Sequence, residues 1–359
     1  MISIMDVSPK VIQIKDRTKR LHITKPITKM DYTVKTILTN SSWEYVDLWL
    51  QRNNQRMALM YWKQAKSFYD ASMLLPIESR PLTAYYCCMN AAKALLSVNS
   101  VSVNNIRHGV GSEIKDWNSN NTKDAIVKFY NSGILHELSL YFRETPSAEY
   151  SIYDLLYNTP CIHRAFIVTF RTPTELFIPI RDTSYYVNTE TNDAWIQFLV
   201  DPEYNDSKIL KKIPSTYEVP RFFKDSEECV LRCKKTFKWY HEPKDEEQRA
   251  SNKTEISKYQ PKIRKNIHYI NGTMRLWYLK KELDSNSHVI DRNSITLIYA
   301  VFHWLSELVR YDPEKFYNLK SSNQYWLLHE FIETALNHYV DEISCEITAS
   351  DIMMTGYRK

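Results

Sequence analysis

Arg107 and His108 stand side by side in the polar stretch Asn104-Asn105-Ile106-Arg107-His108-Gly109, directly after a strongly apolar segment. An imidazole takes or gives a proton near neutral pH, and a guanidinium grips a phosphate through paired hydrogen bonds. Together they form the candidate catalytic pair for a metal-independent attack on a phosphodiester, with His108 moving the proton and Arg107 supplying the cation. The same residues would serve equally as a turn whose histidine caps the next helix. Just upstream, Asn90 and Lys93 are polar positions among apolar ones. Buried, they need partners near that turn; alternatively, Lys93 reaches past its apolar neighbours to water.

A second group of residues points to binding. Arg232, Lys234, Lys235 and Lys238 interleave with Phe237, Trp239 and Tyr240, and Lys262, Arg264 and Lys265 precede His268, Tyr269, Arg275, Trp277 and Tyr278. Cations neutralise phosphates and aromatic rings stack on bases. Lys234, Lys235, Trp239, Lys262, Arg264, Lys265 and Arg275 are therefore the candidate nucleic-acid-binding residues. The competing reading is a strand whose cations face water while its rings turn into a core, which alternation produces unaided. Cys229 and Cys233 with His241 are too loosely spaced for a zinc site and lack a fourth ligand, so neither metal nor cofactor is expected. The chain has only five glycines. P-loop, dinucleotide, nucleophile-elbow and H-E-x-x-H patterns are all absent.

The elements that must hold these residues follow from apolar spacing. Arg56–Leu75 reads as a helix with Ala58, Tyr61, Trp62, Ala65, Phe68 and Tyr69 on one face, ending before Pro76. The segment 80–97 carries Leu82, Tyr85, Tyr86, Met89, Ala92 and Leu96 on one face and Ala84, Cys87, Cys88, Ala91 and Leu95 on the other. A helix apolar on both sides belongs inside a bundle. Ser79 is the expected cap and Pro81 suits the first turn. Trp43–Leu50 is a shorter helix capped by Ser41 or Ser42, and 123–131 and 150–157 are further short helices. Phe166–Thr172, Leu176–Ile180, Ser184–Asn188, Ala194–Val200 and Cys229–Tyr240 read as strands. His241–Ser257, charged and poor in apolar residues, reads as a loop. Asn271-Gly272 within Tyr269–Leu283 signals a hairpin. Helices return at Ile295–Tyr311 and Gln324–Tyr339.

This order gives an α+β chain: a basic arm over 1–40, helices over 41–165, a β-rich basic insertion over 166–289 and helices over 290–359 that pack on the first set. With 359 residues, 43% of them hydrophobic, the chain can bury a sizeable core. No apolar run reaches the ~18 residues a membrane helix needs, and no signal-peptide core opens the chain. A cytoplasmic protein away from membranes is expected, and six scattered cysteines fit that compartment. Charge is uneven. Residues 1–35 hold eight Lys/Arg against three Asp, and residues 232–281 hold fourteen against five acids. Residues 282–359 hold twelve acids against six Lys/Arg. The basic regions suit RNA or DNA, and the acidic C-terminal helices suit a protein partner or a second copy of the chain.

Two resemblances follow from these residues. The run Tyr85-Tyr86-Cys87-Cys88-Met89-Asn90-Ala91-Ala92-Lys93-Ala94-Leu95-Leu96, followed by His108-Gly109, resembles the second helix and turn of HEPN-type helical domains. A longer set resembles the YaaC-like family across roughly Trp43 to Ile347. It comprises the Tyr61-Trp62 helix, Ser79-Arg80-Pro81, Asn90 to Leu96, His108-Gly109 and Leu305-Ser306-Glu307-Leu308-Val309-Arg310-Tyr311-Asp312-Pro313. The YaaC-like resemblance implies a cytosolic bacterial protein and brings no settled activity. HEPN domains that cut RNA carry R-x4–6-H on a helix. Here the formal match is Arg17 to His22, in the basic arm; Arg264-x3-His268 is one residue short. The resulting expectation is a nucleic-acid-binding or nucleic-acid-associated protein serving antiviral defence or a toxin system. The alternatives are a divergent HEPN-like ribonuclease using Arg107 and His108, and a scaffold without catalysis that docks a partner.

Overall fold

In the computed structural model the described residues are 10–16, 19–103, 106–113, 121–171, 174–204, 211–220, 228–270, 276–283 and 288–355. Their helices, in chain order, are α1 Ser42–Arg52, α2 Arg56–Leu74, α3 Arg80–Val98, α4 Ile134–Tyr141, α5 Ile152–Tyr157, α6 His163–Phe170, α7 Glu246–Arg264, α8 Ser294–Tyr311, α9 Pro313–Leu319 and α10 Gln324–Thr348. The chain folds as two compact units, and both are assembled from separated stretches of sequence. One comprises Met1–Thr36, Phe177–Ser287 and Ala349–Asp351; the other comprises Ile37–Leu176, His288–Thr348 and Ile352–Lys359.

The second unit is helical. Helix α3 packs against α2, α8 and α10, with Ala84, Cys87, Cys88, Ala91, Ala94 and Leu95 fully enclosed. Met89, on the other face, is half-buried. The most enclosed helix is α8 rather than α3, since every residue from Ser294 to Ser306 is buried. Ser79 sits in helical backbone geometry and caps nothing with its side chain. Asn293 caps α8 by accepting from the Ile295 N–H at 2.9 Å. The cap is held by a buried ion pair: Arg292 donates to Glu144 at 3.0 Å, and Glu144 accepts from the Asn293 N–H at 2.6 Å and from the Thr296 hydroxyl at 2.9 Å. Burial pushes the Glu144 carboxyl up to about 7 despite Arg292.

Three short antiparallel strands, Val110–Ser112, Ile126–Phe129 and Ala148–Ser151, lie in the same unit. The helix expected over 123–131 is therefore a strand around Ile126–Phe129. Val127 and Phe129 alternate inward there, a period-two pattern too short to separate from a helical turn. Conversely, the β-branched run expected as a strand at Phe166–Thr172 is helix α6, which buries His163 and Phe166 and ends on Arg171 in left-handed geometry.

The first unit is a curled antiparallel sheet. Its main order is Tyr217–Glu218, Val230–Cys233, Asp193–Val200, Phe177–Asn188, Leu276–Lys280, Ile267–Ile270. The segments expected as two strands at 176–188 form one, kinked by a register shift between Arg181 and Ser184. Val11–Gln13 pairs with Tyr186–Asn188, and Ile14, Leu21, Ile23 and Met30 enter the core of this unit. Of the stretch expected as an arm over 1–40, the described residues 10–14 and 21–30 thus join the sheet and its core. The stretch expected as a loop over 241–257 contains most of α7, which Asp245 caps by accepting from the Gln248 N–H at 2.8 Å. Ile256, Tyr259 and Ile263 of α7 join the sheet core. Ile267–Ile270 and Leu276–Lys280 pair antiparallel; the Asn271-Gly272 turn lies outside the described residues. None of the described helices is long and apolar enough to cross a membrane.

Candidate functional site

The turn after α3 is held by its backbone. The Arg107 carbonyl accepts from the Ile134 N–H at 2.8 Å, and the His108 carbonyl accepts from the Leu135 N–H at 3.1 Å. Two of the otherwise unpaired N–H groups at the start of α4 are thereby satisfied. Gly109 and Gly133 make this possible. Both have positive φ, and a Cβ on Gly133 would lie 2.4 Å from the Gly109 nitrogen. His108 therefore cannot shift without unseating α4.

The His108 side chain is fixed as well. Its Nδ1 lies 2.5 Å from the Tyr85 hydroxyl of α3, Tyr85 Oη lies 3.2 Å from Tyr299 Oη of α8, and Tyr299 donates to the His108 carbonyl at 3.3 Å. One assignment uses every proton once. Nδ1–H donates to Tyr85, Tyr85 donates to Tyr299, and Tyr299 donates to the carbonyl of His108. Both tyrosines are buried, and burial pushes their pKa values up, so they stay protonated. That tautomer leaves the His108 Nε2 lone pair unused on an exposed residue.

Electrostatics keep this imidazole neutral. Partial burial lowers the His108 pKa, and the charges of Arg310 and Lys93 lower it further. His303, one turn beyond Tyr299 on α8, packs edge-on against Tyr85 at 5.0 Å and faces His108 at 5.7 Å between ring centroids. Burial, His108 and Arg310 together push His303 down to about 3. Glu307, a further turn along, lies 3.5 Å from His303 Nδ1 and accepts from the Ser112 hydroxyl. Its carboxyl is raised by burial. Tyr299, His303 and Glu307 recur every four residues and share one stripe of α8. The cluster brings one exposed neutral histidine, a buried neutral histidine, two protonated tyrosines and nearby cations to one place. It is equipped to accept a proton at His108 Nε2 and to attract an anion.

Sequence reasoning located His108 and missed Tyr85, Tyr299, His303 and Glu307 as its partners. The available signal was the four-residue spacing of polar groups on the apolar helix α8. Arg107 is exposed beside His108. Lys93 is half-buried, its ammonium 5.4 Å from the Tyr61 ring, and burial lowers its pKa. Asn90 is buried and donates to the Tyr86 carbonyl at 2.8 Å, away from the turn. Asn104 and Asn105 lie outside the described residues.

The chain matches the family described as YaaC-like Protein over residues 22–347. It belongs to that family. Neither the curated proteins nor the solved structures include a match to it.

The seven candidate nucleic-acid residues do not share one kind of environment. Lys235, Lys262 and Lys265 are exposed. Lys234 is exposed too, but donates to the Ser215 carbonyl at 2.7 Å. Arg264, expected to meet phosphate, is instead buried. It donates to the carbonyls of Lys25 (3.1 Å) and Ile267 and lies 5.0 Å over the Trp277 ring. A guanidinium at the end of α7 is drawn inward because it satisfies backbone carbonyls there. Trp239 is also buried, with its ring 5.4 Å from Tyr32 in an edge-on contact. Arg275 lies outside the described residues, as does Arg17. His22 meets the Ser184 hydroxyl at 2.9 Å. Cys229 and Cys233 are buried in the sheet core. Among the described residues, no group of three or more His, Cys, Asp or Glu is arranged to hold a metal ion.

Proposed function

We propose that this protein acts on RNA, with His108 as the proton-transfer group of a metal-independent phosphodiester cleavage. The observation that carries the reading is the anchoring of an exposed histidine by Tyr85, Tyr299 and the start of α4. A surface histidine locked at both ring and backbone is preorganised in a way that a mere turn does not require. In this chemistry a base takes the 2′-hydroxyl proton, the 2′-oxygen bonds to phosphorus as the P–O5′ bond breaks, the protonated base or water gives a proton to the leaving 5′-oxygen, and cations stabilise the charged phosphorane. His108 Nε2 supplies the base. Arg107 beside it and Arg310, whose charge reaches both histidines, supply positive potential. The α3 segment resembles HEPN-type domains without their R-x4–6-H motif at His108, so the resemblance bears only on the biological setting, antiviral defence or a toxin.

Incubating the full chain with single-stranded RNA in excess EDTA tests this. Products ending in 2′,3′-cyclic phosphate are expected, along with their loss in His108→Ala at unchanged melting temperature. Cleavage that needs a divalent cation, or that persists in a folded His108→Ala, refutes it. The second reading is nucleic-acid binding without cleavage, and exposed Lys235, Lys262 and Lys265 favour it.

A further inference from the structure

The sheet unit contains a cleft of about 610 Å³ whose lining includes Lys15, Tyr32, Trp239, His241, Arg249 and Lys253. Its aromatic side is built. Trp239 is buried, backs Tyr32 edge-on and is followed by Tyr240, whose backbone is clamped by Asn252. Asn252 Oδ1 accepts from the Tyr240 N–H at 2.8 Å, and its Nδ2 donates to the Tyr240 carbonyl at 2.8 Å. Tyr32 and Tyr240, both half-buried, line the cleft. The cationic side comes from two elements. Arg249 and Lys253 are one turn apart on α7, and Lys15 is exposed on the strand Lys15–Asp16. His241 completes the lining.

We propose that this cleft binds a mononucleotide, with the base against Tyr32 and Tyr240 and the phosphate held by Lys15 and Arg249. Aromatic faces take bases, and arginine and lysine take phosphate. The volume falls in the range of small-ligand sites. A single nucleotide fits better than a running strand because carboxylates interrupt the positive surface. Lys253 is paired with Asp31 at 2.9 Å and Arg249 with Glu246 at 3.2 Å, whereas Lys15 makes no ion pair among the described residues. A phosphate entering the cleft takes Arg249 from the exposed Glu246, an exchange that costs little at a solvent-screened pair. The inference is independent of the His108 reading and uses none of its residues.

Calorimetric titration of the full chain with AMP and with UMP in 50 mM salt tests it. Saturable one-to-one binding is expected, at least tenfold weaker for the matching nucleosides. Lys15→Ala and Arg249→Ala, both at exposed positions, should each weaken binding about tenfold, and Ala250→Trp should block the cleft. No binding at millimolar nucleotide overturns the proposal. So does affinity indifferent to all three substitutions. Failure here leaves RNA cleavage by His108 untouched, since that is read by product ends.

Discussion

His303 and Glu144 should tilt the stability of the helical unit in opposite directions between pH 5 and 7. His303 is held at about 3 in the fold, against 6.5 when unfolded. Its contribution is present above pH 6.5 and is lost as pH falls, because the unfolded chain binds a proton that the folded one refuses. At pH 5 the loss is about 2 kcal/mol, 1.36 kcal/mol for each of the ~1.5 pH units below 6.5. Glu144 runs the other way. It is raised to about 7 against 4.5, so its contribution is complete below pH 4.5 and is lost as pH rises through 7. Between pH 7 and pH 5 it returns about 2 to 3 kcal/mol. In the parent the two nearly cancel. His303→Gln should therefore gain about 2 kcal/mol relative to the parent when pH drops from 7 to 5, and Glu144→Gln should lose a similar amount. Above pH 7 Glu144→Gln should also be less stable, because the ionised carboxylate is the counter-ion of buried Arg292. Urea unfolding followed by helical circular dichroism at pH 5, 6 and 7 measures both slopes. Taking the difference from the parent at each pH removes the background of the other carboxylates and histidines. Variant-minus-parent differences that stay constant within about 0.5 kcal/mol would refute the reasoning for whichever residue shows them.

Three further outcomes are expected. Gly133→Ala places a Cβ 2.4 Å from the Gly109 nitrogen at positive φ; it should cost about 3 kcal/mol in urea unfolding, and a neutral result would mean that the turn does not anchor His108. Asp245→Ala removes the α7 cap and should lower stability by about 1 kcal/mol by the same assay. Replacing Lys235, Lys262 and Lys265 together by Ala should reduce the log–log salt slope of RNA binding by about 2 to 3, and an unchanged slope would place binding elsewhere.

The parts of this fold that were legible in sequence are those whose burial pattern is local. Helix α3 is apolar on both faces, α8 combines an Asn cap with an almost unbroken apolar run, and the 184–200 hairpin is bracketed by a polar turn. Helix α7 was hidden by composition. Only Ile256, Tyr259 and Ile263 supply its apolar contacts, Pro261 interrupts it, and its charged face reads as a loop. The overlooked signal was its start: Asp245 accepts from the Gln248 N–H, while Gln248 Oε1 reaches back one residue further to accept from the Lys244 N–H at 3.0 Å. Helix α6 was obscured differently, since its Phe-Ile-Val-Thr-Phe run has β propensity that packing overrides.

The candidate site was half legible for a reason of distance along the chain. His108 announced itself by standing in a polar turn, but the hydroxyls that fix it come from Tyr85 and from Tyr299, 214 residues further along. On α8, Tyr299 and His303 look like two more members of a buried stripe. Only the fold shows that the stripe meets α3 at Tyr85, so that burial, which normally silences a histidine, here silences His303 while leaving His108 exposed and neutral. The asymmetry between two histidines whose rings lie 5.7 Å apart is what gives the cluster a direction for a proton. In the cleavage proposed above, the exposed ring exchanges a proton with the substrate, while burial holds the other ring neutral. Replacing His303 by a residue that can carry charge there, as in His303→Lys, should therefore lower the His108 pKa further and shift any pH–rate profile of RNA cleavage to the acid side. A folded His303→Lys whose profile is unmoved would show that the two rings do not act as one unit.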